Sequence, residues 1–468
     1  MTQPVQNATV VDVVVVGAGF AGLRSLHTLR ECGLRVAVLE AGSDVGGVWF
    51  WNRYPGARCD VESYDYSYSF SEELEQDWRW SERYATQPEI LRYIHHVADR
   101  FDLRRDVHLH QRMTQAAWDE AAGRWSVRTE AGARWNARYV VMATGQLSTT
   151  KNPTLPGQEL FTGLSVPANR QSALEVGSDE RTAHYEQSWT HAGFGFALAY
   201  YDLLRDQQAN DTAADFIRSK IADTVQDPQT REQLMPRDFP FAAKRPSVDS
   251  GYFETFNRDN VTLADIRSHP LQEITPTGIR TSAAHHQLDM IVFATGFDAL
   301  TGSLLRPEIV GRDGVTLAQK WSGGPATYLG VMVSGFPNLF IIAGPGSPSL
   351  LSNVLLSTEQ HVDWIADLLT HVRAEHATVV EPTEDAERGW VAHVNERAQE
   401  TLYPLARSYY NGDEVPGKPR VFMPYVGGVR GYRRILEKVV ADGYDGYDGY
   451  DGYDGFTLRR AGADLQDA

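Results

Sequence analysis

The hydrophobic pattern opens on a β-branched run. Val11 to Val16 is apolar on both faces except at Asp12, the pattern of a buried strand in a parallel sheet. Gly17-Ala18-Gly19-Phe20-Ala21-Gly22 follows. The spacing then turns helical and holds to about Cys32, where Gly33 supplies a left-handed cap. A second apolar strand, Arg35 to Leu39, closes on Glu40. Two later runs, Tyr139-Val140-Val141-Met142 and Met290-Ile291-Val292-Phe293, are predicted as strands, each ending in the same Ala-Thr-Gly turn. Ile341-Ile342-Ala343 is predicted as another strand, leaving through Gly344-Pro345-Gly346-Ser347. After it Val354, Leu355, Val362, Ile365, Leu368 and Leu369 recur at helical spacing, predicting an amphipathic helix from about Asn353 to His371. The stretch from about Ser172 to Gln233 is predicted helical too. It carries one apolar set at Trp189, Phe196, Leu198, Tyr201, Leu203 and Leu204, and another at Phe216, Ile217, Ile221 and Val225.

The first strand, helix and strand frame the spacing G-x-G-x-x-G, with an acid about 20 residues further on. Gly17 permits the tight turn, Gly19 lets a pyrophosphate approach the backbone, and Gly22 allows close helix–strand packing. The phosphates then sit on a helix N-terminus, and Glu40 accepts from ribose hydroxyls. An acid at that place disfavours a ribose 2′-phosphate, so FAD or NAD fits the first unit better than NADP. The continuation Gly46-Gly47-Val48-Trp49 favours FAD, because a second glycine pair brings backbone and flat aromatics close to an isoalloxazine.

Composition narrows the picture. The 468 residues suffice for two or three packed domains, and 42% hydrophobic with 22% charged is ordinary for a globular protein. A formal net charge of −17 lacks the basic footprint of nucleic-acid binding. Two cysteines, Cys32 and Cys59, make neither a disulfide framework nor a metal cluster, and a reducing cytoplasm is expected. No secretory leader is read at the start, and Tyr328 to Gly346 is too broken by Ser334, Pro337, Asn338 and glycines to span a membrane. The fourteen histidines, including His95-His96, His108-x-His110 and His285-His286, show no metal-ligand spacing.

The most specific stretch is Gly47-Val48-Trp49-Phe50-Trp51-Asn52-Arg53-Tyr54-Pro55-Gly56-Ala57-Arg58-Cys59-Asp60. It fits G-x-W-x-x-x-x-[FY]-P-G-x-x-x-D, and through it the chain resembles the Baeyer–Villiger monooxygenases, closest to the phenylacetone and cyclohexanone group. The resemblance extends over Phe256-Asn257-Arg258-Asp259-Asn260-Val261, Phe293-Ala294-Thr295-Gly296-Phe297-Asp298, Gly344-Pro345-Gly346-Ser347-Pro348-Ser349 and Val415-Pro416-Gly417-Lys418-Pro419-Arg420. It implies an α/β fold: the Rossmann-like FAD-binding domain of a flavoprotein with two dinucleotide domains and a helical insert. It also implies an FAD-dependent monooxygenase in which NADPH reduces the flavin. Oxygen then adds at flavin C4a as a peroxide, which attacks a ketone and rearranges it to an ester or lactone. Such chemistry needs a cation beside a peroxyanion at every working pH. Arginine suits this, because its guanidinium does not deprotonate and forks onto carboxylates. By resemblance Arg245 is that cation and Asp60 its positioning carboxylate. Val48, Trp49, Trp51 and Tyr66 line the FAD, with Gly47 and Met113 beside it. Arg58 and Lys244 meet the nicotinamide cofactor. Tyr409 stands where the family commonly has a tryptophan, keeping the flat ring without the indole donor.

One part of the resemblance breaks off. The family carries a signature F-x-G-x-x-x-H-x-x-x-W-[PD] and then a second G-x-G-x-x-G unit for NADPH. Phe161-Thr162-Gly163 begins that signature, but Pro167 stands at the histidine position and no Trp-Pro follows. A βαβ unit needs about 30 residues, and Gly163 to Ala168 leaves no room for one. The second nucleotide domain is therefore expected to be truncated, its remnant from about Phe241 to Ala283 showing exposed apolar edges or a repacked form. The expected organisation is an FAD-binding first part (1–160), a helical insert (161–240), a nucleotide-domain remnant (241–290), an FAD-binding second part (291–440) and a disordered Gly-Tyr-Asp tail (441–468). Two alternatives to a ketone monooxygenase stand beside it. One is an FAD-binding protein without its own NADPH site, inactive, a weak oxidase or reduced by another donor. The other is N- or S-oxygenation, against which Asp60 and the full Trp–Tyr-Pro-Gly run argue.

Overall fold

A run of valines with no polar face must be covered on both sides, and in this protein it is. Val13, Val14 and Val15 are wholly buried in β1 (Thr9–Val16), the middle of the largest sheet. The fold comes from a computed structural model that describes residues 8–147, 171–189, 194–246, 249, 251–413, 417–444 and 455–460. Phe161-Thr162-Gly163, Pro167, Val415-Pro416 and most of the Gly-Tyr-Asp repeat lie outside the described residues. By its contacts the chain divides into two units, one of residues 1–149, 298–399 and 409–468, the other of 150–297 and 400–408.

In the first unit β1 pairs in parallel with β2 (Val36–Leu39), which in turn pairs with β3 (Val107–His108). An antiparallel excursion follows through β4 (Met113–Asp119) and β5 (Arg124–Thr129). The chain returns on β6 (Arg134–Met142), parallel to β1 with Val13 opposite Tyr139. The Phe20–Glu31 helix between β1 and β2 turns Leu23, Leu26 and Leu29 into the core, each at most 1% exposed. Burial of such a side chain contributes about 1.5–3 kcal/mol. Gly33 ends that helix at φ 75, as its position in the sequence predicts.

The second unit begins its described part with helices Ser178–Trp189, Gln207–Thr224 and Pro228–Leu234, where helix is predicted. Their core is aromatic: Tyr185 lies 5.2 Å from Phe196 and 5.4 Å from Phe216, ring centre to ring centre. Leu203, Ile221 and Val225 are buried as the apolar pattern requires, but Trp189 and Tyr201 are 40% and 54% exposed. The unit continues into β7 (Leu271–Thr275), β8 (Gly278–Thr281) and β9 (His285–Gln287), a three-stranded antiparallel sheet. From Asn260 to Phe297 only Gly278 and Thr281 are buried. A small sheet without an apolar face to bury gains little from folding.

The strand predicted at Met290–Phe293 does not form. Met290 and Val292 are each 77% exposed and Phe293 52%. No backbone–backbone hydrogen bond among the described residues uses Met290 to Phe293. The composition is that of a central parallel strand, which needs neighbours on both edges and layers on both faces. The described residues supply neither.

Back in the first unit, β10 (Glu308–Val310) joins the edge of the sheet on β4, and β11 (Leu339–Ile341) extends it parallel to the end of β6. The Val354–Ala374 helix matches its prediction, started by Asn353, whose side chain accepts from Leu355 N at 2.9 Å. Arg24 Nη2 pairs with Asp363 Oδ1 of that helix at 2.6 Å. The tail departs from expectation. Phe456–Arg460 is a strand, β13, antiparallel to β12 (Ala377–Pro382). Its Phe456 ring lies 5.2 Å from Tyr328 and 5.9 Å from Trp364, an aromatic anchor for the strand.

These environments predict a contrast in amide exchange. Met290 to Ala294 are expected to exchange at nearly the rate of an unstructured peptide, whereas Val13 to Val16 exchange only on global opening. Hydrogen–deuterium exchange read by mass spectrometry checks this, and slow exchange across Met290–Ala294 would contradict it.

Candidate active site

The site starts where β1 ends. Gly17 has φ 104, and a Cβ there would lie 2.6 Å from the Ala143 carbonyl oxygen. Gly22 is tighter still, since its Cβ would fall 1.8 Å from the Gly17 carbonyl oxygen. The first helical turn is thus pressed onto the glycine turn. Gly19 caps that helix with no side-chain partner, leaving first-turn N–H groups to meet a phosphate.

The second glycine pair lies against the first. Gly46 N donates to Ala18 O at 2.9 Å, and a Cβ on Gly19 would lie 3.1 Å from Gly47 Cα. From that contact a single helical turn, Val48–Trp51, carries the aromatics. Trp49 Nε1 donates to Tyr66 Oη at 3.1 Å, with the rings edge to face at 5.8 Å. The Trp49 carbonyl accepts from Gln87 Nε2 at 2.5 Å. Val48 and Trp49 are half-buried and Tyr66 is buried, whereas Trp51 is 47% exposed beneath the Arg112 guanidinium, 6.0 Å from its ring.

Glu40 ends β2 with 4% exposure. Its two oxygens accept from Ala18 N and Gly42 N, each at 2.7 Å. The acid therefore orders the glycine turn. Each oxygen retains a lone pair for a hydroxyl donor. Met113, at the start of β4, buries its side chain in the core with Ala116 and Trp118.

After the aromatics the chain runs beside residues 83–87. Cys59 N donates to Ala85 O, and Gln87 N to Ala57 O, both at 2.9 Å. Arg58 is 41% exposed at its side chain and pairs with Glu82 at 2.5 Å. Asp60 is half-buried. Its charge is one of those acting on Tyr84, whose hydroxyl is pushed above its ordinary range chiefly by burial. Tyr409 is half-buried beside Tyr410, ring centres 4.6 Å apart.

Lys244 and Arg245 belong to the second unit, Asp60 to the first. Both cationic residues are half-buried, and Lys244 Nζ stands 4.6 Å over the Phe239 ring. The sequence did not point to Asn210, which holds their loop. Wholly buried, Asn210 accepts from Phe241 N at 2.7 Å and donates to Leu203 O at 2.6 Å and Phe241 O at 2.9 Å.

Also unforeseen is a polar network at the end of β11. Gln146, next after the first Ala-Thr-Gly turn, donates to Ala343 O at 2.7 Å and to Ser349 Oγ at 2.6 Å. His361 Nδ1 accepts from Ala343 N at 3.0 Å, and His361 Nε2 meets Tyr432 Oη at 2.9 Å. Lys418 pairs with Asp298 and donates to Thr301 Oγ1 at 2.8 Å, tying Gly417-Lys418-Pro419-Arg420 to Phe293–Asp298 at its last residue.

The residues present fit FAD. Glycines stand wherever a side chain would fill the cradle, a buried acid faces the ribose position, and an aromatic pair follows at the second glycine turn.

Comparison with known proteins supports the same reading. A family model described as pyridine nucleotide-disulphide oxidoreductase matches residues 14–173. A Baeyer-Villiger monooxygenase of Pseudooceanicola batsensis is 37% identical over 522 aligned positions, covering 92% of this chain and 95% of that protein. An acetone monooxygenase (methyl acetate-forming) of Gordonia sp. is 35% identical over 526 positions, covering 94% and 99%. Among solved structures, an oxidized steroid monooxygenase bound to NADP superposes with TM-score 0.88 at 44% identity, covering 97% of this chain and all of that one. A closed cyclohexanone monooxygenase gives 0.90 at 34%, with the same coverage.

Two outcomes are expected here. Gly22→Ala would drive a methyl into the Gly17 carbonyl, so the purified protein should lose its bound flavin absorbance and at least about 1–3 kcal/mol of stability. An equally yellow, equally stable variant would contradict the contact. Burial moves His361 from its ordinary value of 6.5 to about 3. The unfolded chain then takes up a proton below 6.5 that the folded chain refuses down to about 3, so the stability is fully present above 6.5 and falls with pH between the two values. The fall should approach about 1.4 kcal/mol per pH unit from this group and be absent in His361→Asn. Melting curves from pH 7 to 4.5 compare the two, and parallel curves would contradict the assignment.

Proposed function

The chain belongs to the Baeyer–Villiger monooxygenases, flavin-dependent enzymes, and from that premise we propose that Arg245 and Asp60 carry its oxygen-insertion chemistry on a small ketone. The observation behind the flavin half is the doubled glycine contact at the end of β1, with Glu40 and Trp49 beside it. FAD and NADP are the cofactors bound in a solved relative at 32% identity. Bound and reduced, FAD supplies the activated oxygen that is inserted beside the carbonyl. The residues of this chain bind, orient and compensate charge. The Gly17–Gly22 turn takes the pyrophosphate, Glu40 the ribose, and Val48, Trp49, Trp51 and Tyr66 the ring system. Arg245 supplies a guanidinium against negative charge as it develops on oxygen, usually the largest catalytic contribution. Asp60 supplies the compensating carboxylate, and Arg58, Lys244 and Tyr409 serve the nicotinamide side.

A second reading concerns reduction. The relatives align over 511 to 531 positions although this chain has only 468 residues, so the alignments hold residues of each relative with no counterpart here. The exposed Met290–Phe293 segment and the sparsely buried sheet before it are the observations behind a reading in which some of those residues belong to the nicotinamide unit. On this view the oxygenating half is intact and reduction by NADPH is impaired. No helix among the described residues is long and apolar enough to cross a membrane, and we place the protein in the reducing cytoplasm on the strength of Cys32 and Cys59, neither of which forms a disulfide.

Arg245→Ala should leave FAD bound and reduce ketone oxidation by about a hundredfold or more, as loss of an oxyanion partner does. Ester formation at the original rate would remove Arg245 from the mechanism. Anaerobic titration with NADPH separates the two readings of reduction. Rapid bleaching of the flavin means a working nicotinamide site. A flavin that dithionite bleaches and NADPH does not means a lost one.

A further inference from the structure

Two buried residues with side chains adopt left-handed backbone on facing loops, Leu329 at φ 55 and Ala343 at φ 58. Outside glycine that conformation persists only where its surroundings enforce it. A single relay reaches both. Ala343 N donates to His361 Nδ1 at 3.0 Å. With Nδ1 accepting, a neutral imidazole carries its proton on Nε2, which donates to Tyr432 Oη at 2.9 Å. Tyr432 Oη in turn donates to the Leu329 carbonyl. The tautomer is assigned from these partners. The three bonds run in one direction, and both ring residues are wholly buried. The loops touch where a Cβ on Gly344 would lie 2.6 Å from the Gly330 carbonyl oxygen.

The relay leads to the dinucleotide turn. The Ala343 carbonyl accepts from Gln146, and Ala143, three residues before Gln146, packs its carbonyl against Gly17. We propose that His361 is a positioning residue for the flavin site. As a neutral acceptor it holds Ala343 in its left-handed conformation, and so sets the Ala343–Ser349 turn against Gln146 and the glycine turn that receives FAD. This role rests on the reading of that turn as the FAD site.

The test is FAD affinity, followed by flavin fluorescence on adding FAD to the FAD-free full chain, with melting of the same FAD-free samples beside it. His361→Leu removes both relay bonds and should weaken FAD binding about tenfold or more. His361→Asn keeps an acceptor for Ala343 N and should stay within about threefold of the wild type. Ala343→Gly added to His361→Leu should restore affinity, because glycine takes positive φ without the histidine. A purely structural role predicts that affinity follows melting temperature and that the glycine restores nothing. Either that pattern or a His361→Leu variant binding FAD like the wild type overturns the proposal. Should His361→Leu not fold, Tyr432→Phe carries the test. It is expected to weaken FAD about threefold, and unchanged affinity there overturns the role. A wild-type chain that takes up no FAD overturns the site and this role together, an outcome distinct from equal binding by wild type and variant.

Discussion

A contact with no room for a side chain, Gly22 against the Gly17 carbonyl, sets the geometry on which the rest of the first unit depends. It fixes the start of the Phe20–Glu31 helix relative to β1, and with it the direction of the first-turn N–H groups, the kind of donors that suit a phosphate. The same turn is gripped from three other sides. Ala143 packs on Gly17, Gly47 packs on Gly19, and Glu40 accepts from Ala18 N. Each grip comes from a different part of the chain, and two of the three tolerate no larger residue. The price is conformational entropy, since glycine loses more freedom on folding than any other residue. The wholly buried valines of β1 and the leucines of the helix offset it.

The second unit illustrates the opposite case. Its helical part closes on Tyr185, Phe196 and Phe216 and has a true core. Its sheet part does not, because β7 to β9 present side chains with nothing among the described residues to cover them. An apolar strand sequence is only a demand for neighbours. Where the neighbours are missing, Met290 and Val292 stay in solvent whatever their intrinsic preference.

This explains which features were legible in the sequence. The glycine turn, the first helix and the helix after Asn353 depend on local spacing and capping, and their signals lie within a few residues. The failure at Met290–Phe293 came from treating a strand as a local property, when its hydrogen bonds are supplied from elsewhere in the chain. The tail reversed the error. Beyond the Gly-Tyr-Asp repeat, in a tail expected to lack order, Phe456 finds Trp364 and Tyr328 and pairs a strand onto β12. Asn210, Gln146 and the His361–Tyr432 relay left no trace in the pattern. Buried polar residues that satisfy one another at long range have no periodicity, and His361 and Tyr432 are 71 positions apart.

Net charge bears on the chemistry proposed for Arg245. A chain at −17 provides no general field that favours an anion, so stabilisation of negative charge on oxygen must come from a cation placed locally. A placed cation works only if it is already in position before charge develops, because reorganisation during the reaction would consume the benefit. The loop before Arg245 meets that condition. Ala242 and Ala243 are buried, and Asn210 ties Phe241 at both its N–H and its carbonyl. An amide does this better than a charged clamp would, since it adds no carboxylate to compete for the guanidinium. A rigid, neutral support beneath the guanidinium is what the proposed role of Arg245 requires.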